Sequence, residues 1–243
     1  MTGVLLSTAL LAEGVVDWRV QAALDKPAPG RFAHLAVPGF SLRRPISLCG
    51  YEDGVARLVF AVRGRGTAAL ADLRPGEEIE LLGALGNGYD EAFSGKTLLV
   101  GGGVGLPPLL YYAKRHPETH TIAGCRTSGQ VVLVNEFPSA DLCTDDGSAG
   151  FRGFPHQLLE ARLSAGERVD RVLACGPPPL LRAVADVCGR YGIPCFVSME
   201  ERMGCGVGAC LVCACAAGGR YRRVCKDGPV FDAAEVSWEE VPV

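Results

Sequence analysis

Between Val4 and Leu85 the apolar residues fall in short runs: Phe32–Val37, Ile46–Tyr51, Leu58–Val62 and Ile79–Leu82. Pro29-Gly30, Asp53-Gly54 and Pro75-Gly76-Glu77 break them. Runs of this length bounded by turn formers predict strands with tight connections. Their repetition, without helical periodicity between them, predicts an antiparallel β-barrel of about six strands. Met1–Ala12 is apolar as well, but no Lys or Arg precedes Leu5 and Glu13 follows closely. A first strand is expected there rather than a secretory leader.

Around Asn87–Gly95 the rhythm changes. Thr97–Val100 reads as a compact buried strand, Gly101–Gly105 as a turn and Leu109–Lys114 as a helix. Strand-like runs at Thr119–Gly124, Arg171–Ala174 and Cys195–Ser198 then alternate with helical patterns at Phe154–Leu163 and Pro179–Tyr191. That alternation predicts a parallel, doubly wound α/β sheet. From Glu200 onward the chain is rich in Cys and Gly and too short for much core of its own, so a bound metal group is expected to replace that core. The predicted architecture is multi-domain: a β-barrel over residues 1–92, an α/β domain over 93–199 and a small C-terminal module over 200–243. The longest uncharged apolar stretch, Thr97–Ala113, holds four glycines and Pro107-Pro108, which argues against a membrane span.

Composition narrows the classes. The chain is 48% hydrophobic and 21% charged, with a net charge of −3. With no basic run or aromatic-studded basic stretch, a nucleic-acid partner is not expected. Eleven cysteines, several of them single within apolar segments (Cys49, Cys125, Cys175, Cys195), fit reduced thiols of a cytoplasmic protein better than disulfides. His34, His116, His120 and His156 have no metal-ligand spacing and read as surface or packing residues. There is no G-x-S-x-G elbow and no G-x-x-x-x-G-K-[ST] loop. Asp145-Asp146 sits in a Gly/Ser loop as turn residues rather than as an acid/base pair.

The most specific chemistry lies in the tail. Cys205, Cys210, Cys213 and Cys225 are spaced C-x4-C-x2-C-x11-C, with Gly204, Gly206 and Gly208 among them. The C-x4-C-x2-C part is the plant-type pattern that curls around a 2Fe-2S cluster, where backbone N–H groups turned toward sulfur help set the potential. A structural zinc site in a non-catalytic scaffold is the alternative. Zinc ribbons favour two C-x2-C pairs, and one is present here.

Two glycine turns each end a predicted strand and open a helix: Gly101–Gly105, and Cys175-Gly176-Pro177. Such turns admit close approach of a dinucleotide pyrophosphate, although neither spells G-x-G-x-x-G, and a tight turn without ligand is the competing reading. Arg126, after the Thr119–Gly124 strand, is placed where it would meet a 2′-phosphate and favour NADP. In the barrel, Arg44-Pro45-Ile46-Ser47 offers a bidentate phosphate contact and a hydroxyl. The turn Arg63-Gly64-Arg65-Gly66-Thr67 adds further donors.

Taken together, Arg44–Ser47, Gly66-Thr67, Gly101–Gly105, Cys175–Pro177 and the cysteine tail resemble the ferredoxin–NADP reductase superfamily. More narrowly, the chain resembles the electron-transfer subunits of type B dihydroorotate dehydrogenases, over nearly its whole length and including Val224-Cys225-Lys226-Asp227-Gly228-Pro229. The resemblance implies FAD held by Arg44, Pro45, Ile46, Ser47, Val59, Phe60, Ala61, Gly66 and Thr67. It implies NAD on Gly102, Gly103, Val104, Gly105, Cys175, Gly176 and Pro177, and a 2Fe-2S cluster on Cys205, Cys210, Cys213 and Cys225. It also implies two copies of this chain with two FMN-containing catalytic subunits, in the cytoplasm and away from any membrane. Dihydroorotate would be oxidised at that FMN during pyrimidine biosynthesis, and electrons would pass through the cluster and FAD to NAD+. No residue of this chain would touch dihydroorotate.

Related flavin/iron–sulfur subunits of sulfide dehydrogenases, hydrogenases and NADH-dependent ferredoxin:NADP oxidoreductases share most of these motifs and form the alternative. The interval from Cys213 to Cys225 is shorter than the family's, and Cys215 is a spare thiol. The V-C-x-D-G-P context assigns the fourth position to Cys225.

Overall fold

The computed structural model describes residues 1–241; Pro242 and Val243, the end of the expected third segment, lie outside the described residues. The N-terminal strands are β1 (Thr2–Ala12), β2 (Val15–Gln21), β3 (Phe32–Leu35), β4 (Arg44–Glu52), β5 (Val55–Ala61) and β6 (Glu78–Leu85). They close into an antiparallel barrel in the order β1-β2-β5-β4-β3-β6. Strand β2 shows how its sequence dictates this: Val16, Trp18 and Val20 alternate inward and are buried, as a period-2 pattern requires. Trp18 meets Phe60 of β5 edge-on, with ring centroids 5.0 Å apart, an arrangement aromatic quadrupoles favour. Arg63–Thr67 is not a free turn, since its end enters a short helix, α1 (Arg65–Ala71).

The second layer is a seven-stranded sheet in the order β10-β9-β8-β7-β11-β12-β15. Its parallel strands are β7 (Thr97–Gly102), β8 (His120–Cys125), β9 (Ala140–Thr144), β10 (Phe151–Arg152), β11 (Arg171–Cys175) and β12 (Cys195–Ser198). Helices α2 (Leu106–Arg115), α3 (Pro155–Ser164) and α4 (Pro178–Tyr191) connect them. Pro107-Pro108 falls in the first turn of α2, where the missing N–H groups would have no intrahelical acceptor anyway. From β7 the chain steps outward through β8, β9 and β10, then returns to lay β11 on the other side of β7. The strand order therefore reverses between β7 and β11, the position where open α/β sheets bind ligands.

The tail is less separate than its length suggests. Hairpin strands β13 (Ala214–Ala217) and β14 (Arg220–Arg223) are followed by one helical turn, α5 (Val224–Asp227), and by β15 (Val230–Asp232). Strand β15 adds to the large sheet, antiparallel to β12. Cys213, Cys215, Val224, Cys225 and Phe231 lie in one buried apolar cluster with Val172, Ala174 and Val197. The expected core-replacing metal group is thus not the tail's sole support, because the tail borrows the core of the α/β sheet.

The barrel meets the sheet through a second buried cluster, in which Cys49 and Val59 pack with Leu99, Leu106 and Leu109, and through a charged network. Arg57 of β5 pairs with Asp17 of β2 at 2.8 Å and with Glu136 of the α/β segment at 2.5 Å, and Lys114 of α2 reaches Glu136 at 3.0 Å. Among the described residues no helix is long and apolar enough to cross a membrane.

Candidate functional site

The four tail cysteines come together as two pairs. Cys205 accepts hydrogen bonds at Sγ from the N–H groups of Ala209 at 3.2 Å and Cys210 at 3.4 Å, while Cys205 N–H donates to Cys210 Sγ at 3.4 Å. This curl needs Gly206 and Gly208 at φ +72° and +82°, a region costly for side-chain-bearing residues. Hydrogen bonds from the N–H groups of Val207 and Cys210, with those of Ala209, lower the Cys205 thiol to about 6, because donors stabilise the anion. The second pair is buried. Cys225 N–H donates to Cys213 Sγ at 3.4 Å, and burial, followed by the thiol of Cys213, pushes Cys225 up to about 12.

The long interval between Cys213 and Cys225 is spanned by the β13–β14 hairpin. Ala214 pairs with Arg223 and Val224 N–H donates to the Cys213 carbonyl at 2.9 Å, so the two cysteines follow directly from the hairpin's open end. Its tip is the two-residue turn Gly218-Gly219, at φ +63° and +71°, as a type I′ hairpin requires. Cys215 sits one strand step further in, register-paired with Arg222, and burial raises it to about 11.

Among the described residues, no three His, Cys, Asp or Glu side chains converge as they would on one ion. Four thiol donors in two pairs, with backbone N–H groups turned toward sulfur in each, match the two-thiolates-per-iron ligand set of a 2Fe-2S cluster. The donor set thus fits a 2Fe-2S cluster.

The two glycine turns predicted for NAD end β7 and β11, the strands flanking the switch point. Cys175 pairs with Gly101. A Cβ on Gly105 would overlap the Cys175 carbonyl, and one on Gly176 would lie 3.2 Å from Gly102 N. The two turns therefore abut, with Gly102, Gly105 and Cys175 buried, Val104 and Gly176 half-buried, Pro177 exposed, and Gly103 exposed at φ +54°. Burial raises the Cys175 thiol to about 12. Arg126 lies apart at the end of β8, its Nε donating to Gln130 at 3.2 Å. Asp146 accepts from Ser148 N–H at 2.9 Å and Oγ at 2.6 Å, the turn role expected of it.

In the barrel, the Arg44 guanidinium donates to the Leu42 and Arg43 carbonyls at 2.7 and 3.2 Å and lies over Phe40 at 5.6 Å. A Cβ on Gly66 would collide with it, so Arg44 and Gly66 form one surface although 22 positions separate them. Thr67 Oγ1 accepts from the N–H groups of Arg63 at 2.8 Å and Gly64 at 3.2 Å, which locks the turn. Pro45, Ile46 and Ser47 run along β4. Of Val59, Phe60 and Ala61, Phe60 turns into the barrel core against Trp18, Val59 turns out of the barrel into a buried cluster with Leu99, Leu106 and Leu109, and Ala61 is half-buried. An arginine and a hydroxyl beside a glycine at close approach suit the phosphates of a flavin.

Two residues without a motif of their own join these parts. Asn87 clamps the tail, donating to the Val230 carbonyl at 2.8 Å and accepting from its N–H at 3.1 Å. His34 of β3 is fully buried and abuts the Gly206 backbone so closely that a Cβ there would overlap Nδ1. Burial, then the neighbouring Arg43 charge, hold its imidazole below the usual range. A histidine at an inward position of the apolar run Phe32–Val37 is the signal that the sequence offers for it.

The fold and these sites define a reductase of the ferredoxin–NADP reductase type with an iron–sulfur tail. The family model describing the iron–sulfur cluster binding domain of dihydroorotate dehydrogenase B matches residues 200–237. The electron transfer subunit of dihydroorotate dehydrogenase B (NAD(+)) from Bacillus caldolyticus is 40% identical over 251 residues, covering 95% of each chain. Its counterpart from Caldanaerobacter subterraneus is 36% identical, covering 95% of this chain and 96% of the relative. Among solved structures, the NADH-dependent reduced ferredoxin–NADP oxidoreductase studied for flavin-based electron bifurcation superposes with a TM-score of 0.90 at 29% identity, over 98% of this chain and 90% of that one. The ferredoxin reductase of carbazole 1,9a-dioxygenase, at 20% identity and a TM-score of 0.70 over 80% of this chain and 66% of that one, shares the fold. The chain belongs to the family of electron transfer subunits of dihydroorotate dehydrogenase B (NAD(+)).

Proposed function

We propose that this chain carries electrons released by dihydroorotate oxidation at the FMN of a catalytic partner subunit and delivers them to NAD+, holding FAD and a 2Fe-2S cluster. The observation that carries the reading is the meeting, within one molecule, of two thiol pairs, two abutting glycine turns at the switch point and the Arg44–Gly66 surface. When bound, the cluster passes electrons singly and the flavin exchanges them singly or as hydride with NAD+.

The chain's residues supply placement. Arg44, Gly66 and Thr67 hold the phosphate side of FAD, with Pro45, Ile46, Ser47, Val59, Ala61 and the Phe60 backbone along its ring. Gly102, Gly103, Val104, Gly105, Cys175, Gly176 and Pro177 admit NAD at the adjoining strand ends. Cys205, Cys210, Cys213 and Cys225 hold the iron. The barrel domain (1–92), α/β domain (93–199) and iron–sulfur module (200–243) divide these roles. No acid/base pair for dihydroorotate is needed here, since that chemistry belongs to the partner. A cytoplasmic heterotetramer of two such chains and two catalytic subunits completes the assembly. The family's NAD(+) designation favours NAD over NADP, and Arg126, engaged with Gln130, gives no independent support for a 2′-phosphate site.

Mixing the purified subunits tests the reading: dihydroorotate-dependent NAD+ reduction is expected only in the mixture. If no complex formed, the dihydroorotate assignment would fall, and the alternative of a sulfide dehydrogenase, hydrogenase or ferredoxin:NADP oxidoreductase subunit would gain. A colourless, zinc-containing protein would instead favour the scaffold reading. For the ligand set, Cys225→Ser is expected to lower iron content by more than about tenfold, whereas Cys215→Ser retains it. The reverse result would move the fourth ligand to Cys215.

A further inference from the structure

His34 stands between the two regions assigned to redox groups. On one side its strand pairs with the flavin strand, with His34 opposite Pro45 in the β3–β4 register. On the other, its ring bears on Gly206, next to Cys205. The side chain is wholly buried, and neither ring nitrogen has a hydrogen-bond partner. Peptide groups of Arg43 and Cys205 lie beside the ring without satisfying it. A buried imidazole with both nitrogens unpaired carries a desolvation penalty. The fold nevertheless places it here, and Gly206, held at φ +72°, has no side chain to keep it away.

We propose that His34 is a positioning residue for the iron–sulfur loop, fixing it against the flavin strand and presenting an Nδ1–H dipole to the Cys205 end of the cluster. Polar groups around cluster sulfurs tune reduction potential, and an N–H dipole directed there stabilises the extra negative charge of the reduced form. The inference rests on the assignment of Cys205, Cys210, Cys213 and Cys225 as ligands. Iron and sulfide content of the unaltered protein tests that assignment separately. If they are absent the assignment itself fails, whereas a normal cluster indifferent to His34 sinks this inference alone.

The decisive experiment is a redox titration of the purified FAD- and cluster-loaded subunit, followed by EPR, on His34→Phe, His34→Gln and Gly206→Ala. In His34→Phe, FAD, iron and sulfide should stay at native levels while the EPR g values shift. The ratio of reduced to oxidised cluster at a fixed potential should fall about tenfold, equivalent to about 59 mV for one electron. His34→Gln, which restores an N–H, should return most of that ratio. Gly206→Ala pushes the loop off the ring and should shift the ratio in the same direction as His34→Phe. A native ratio and spectrum in His34→Phe, an equal shift in Phe and Gln, or a rise in the ratio would overturn the proposal. Should His34→Phe fail to retain a cluster, the other two variants decide: a native ratio in Gly206→Ala, or a shifted one in His34→Gln, overturns it.

Discussion

The α/β sheet has two neighbours, and it holds them by different means. Toward the barrel a charged network, with Arg57 between Asp17 and Glu136 and Lys114 adding to Glu136, sits beside a buried apolar patch in which Cys49 and Val59 pack with Leu99, Leu106 and Leu109. Toward the iron–sulfur tail the seam is apolar: Cys213, Val224, Cys225 and Phe231 share the sheet's own core, and β15 is its edge strand. A charged seam responds to pH and is directional, because paired charges tolerate only certain separations. An apolar seam shared with a strand cannot open without unravelling the sheet. The tail is therefore expected to unfold together with the nucleotide-binding layer, whereas the charged part of the barrel seam can be weakened without breaking a shared strand.

The strongest blow to this contrast is Phe231→Ala. Removing a fully buried phenyl ring costs about 3–5 kcal/mol. In a denaturant titration, cluster absorption and α/β helicity are expected to vanish together. Bleaching of the cluster well before the helices melt would mean that the tail is a separable unit. Arg57→Met comes next, at about 2 kcal/mol, since it leaves the buried Asp17 carboxylate with Arg19 alone and Glu136 with Lys114 alone. Its signature should be early loss of bound FAD fluorescence quenching, with the cluster spectrum intact.

A pH titration separates the seams more gently. Hydrogen bonds from Arg57, then Lys114, hold the Glu136 carboxyl at about 2, against an ordinary value of 4.5. A depressed folded-state pKa stabilises the fold above the ordinary value, and that contribution drains away as pH falls from about 4.5 toward about 2. Because Glu136 is about one-third exposed, solvent screening reduces the effect to about 1 kcal/mol. Glu136→Gln should flatten the acid limb of a thermal-stability profile by that amount, and an unchanged limb would remove Glu136 from the account. The smallest effect is expected from inserting two residues between Gly218 and Gly219, which should alter stability by no more than about 0.6 kcal/mol and leave iron content unchanged. Loss of iron would show that the hairpin tip bears on the cysteines after all.

Much of this architecture is legible in the sequence alone. Turn-bounded runs in 1–92 imply a barrel because strand propensity and Pro-Gly punctuation act locally, and β–α alternation does the same for the sheet. Strand β2 has no continuous apolar run, because Asp17 and Arg19 take the positions between Val16, Trp18 and Val20, and what keeps Asp17 from water is a partner 40 positions away, Arg57. The candidate cofactor residues can be named from motifs, but their meeting cannot. That Gly66 lies on Arg44, that Gly105 lies on the Cys175 carbonyl, and that Phe60 faces inward all depend on register and closure. Local sequence does not encode those. His34 and Asn87 are inconspicuous for the same reason, since each matters through a neighbour more than a hundred positions distant in the tail.

The β13–β14 hairpin has a consequence for reading other chains. An antiparallel ladder returns to its starting point however many rungs it has, so the count of residues between Cys213 and Cys225 measures the length of a ladder and not the distance between two sulfurs. Relatives can lengthen or trim it two residues at a time, one rung per cut, while the thiols stay together. A search that fixes this interval would reject any chain whose ladder differs by a rung, whereas one that fixes the first three cysteines and the V-C-x-D-G-P anchor would not. The same tip offers a place to graft a spectroscopic label or affinity tag outside the metal-binding loop.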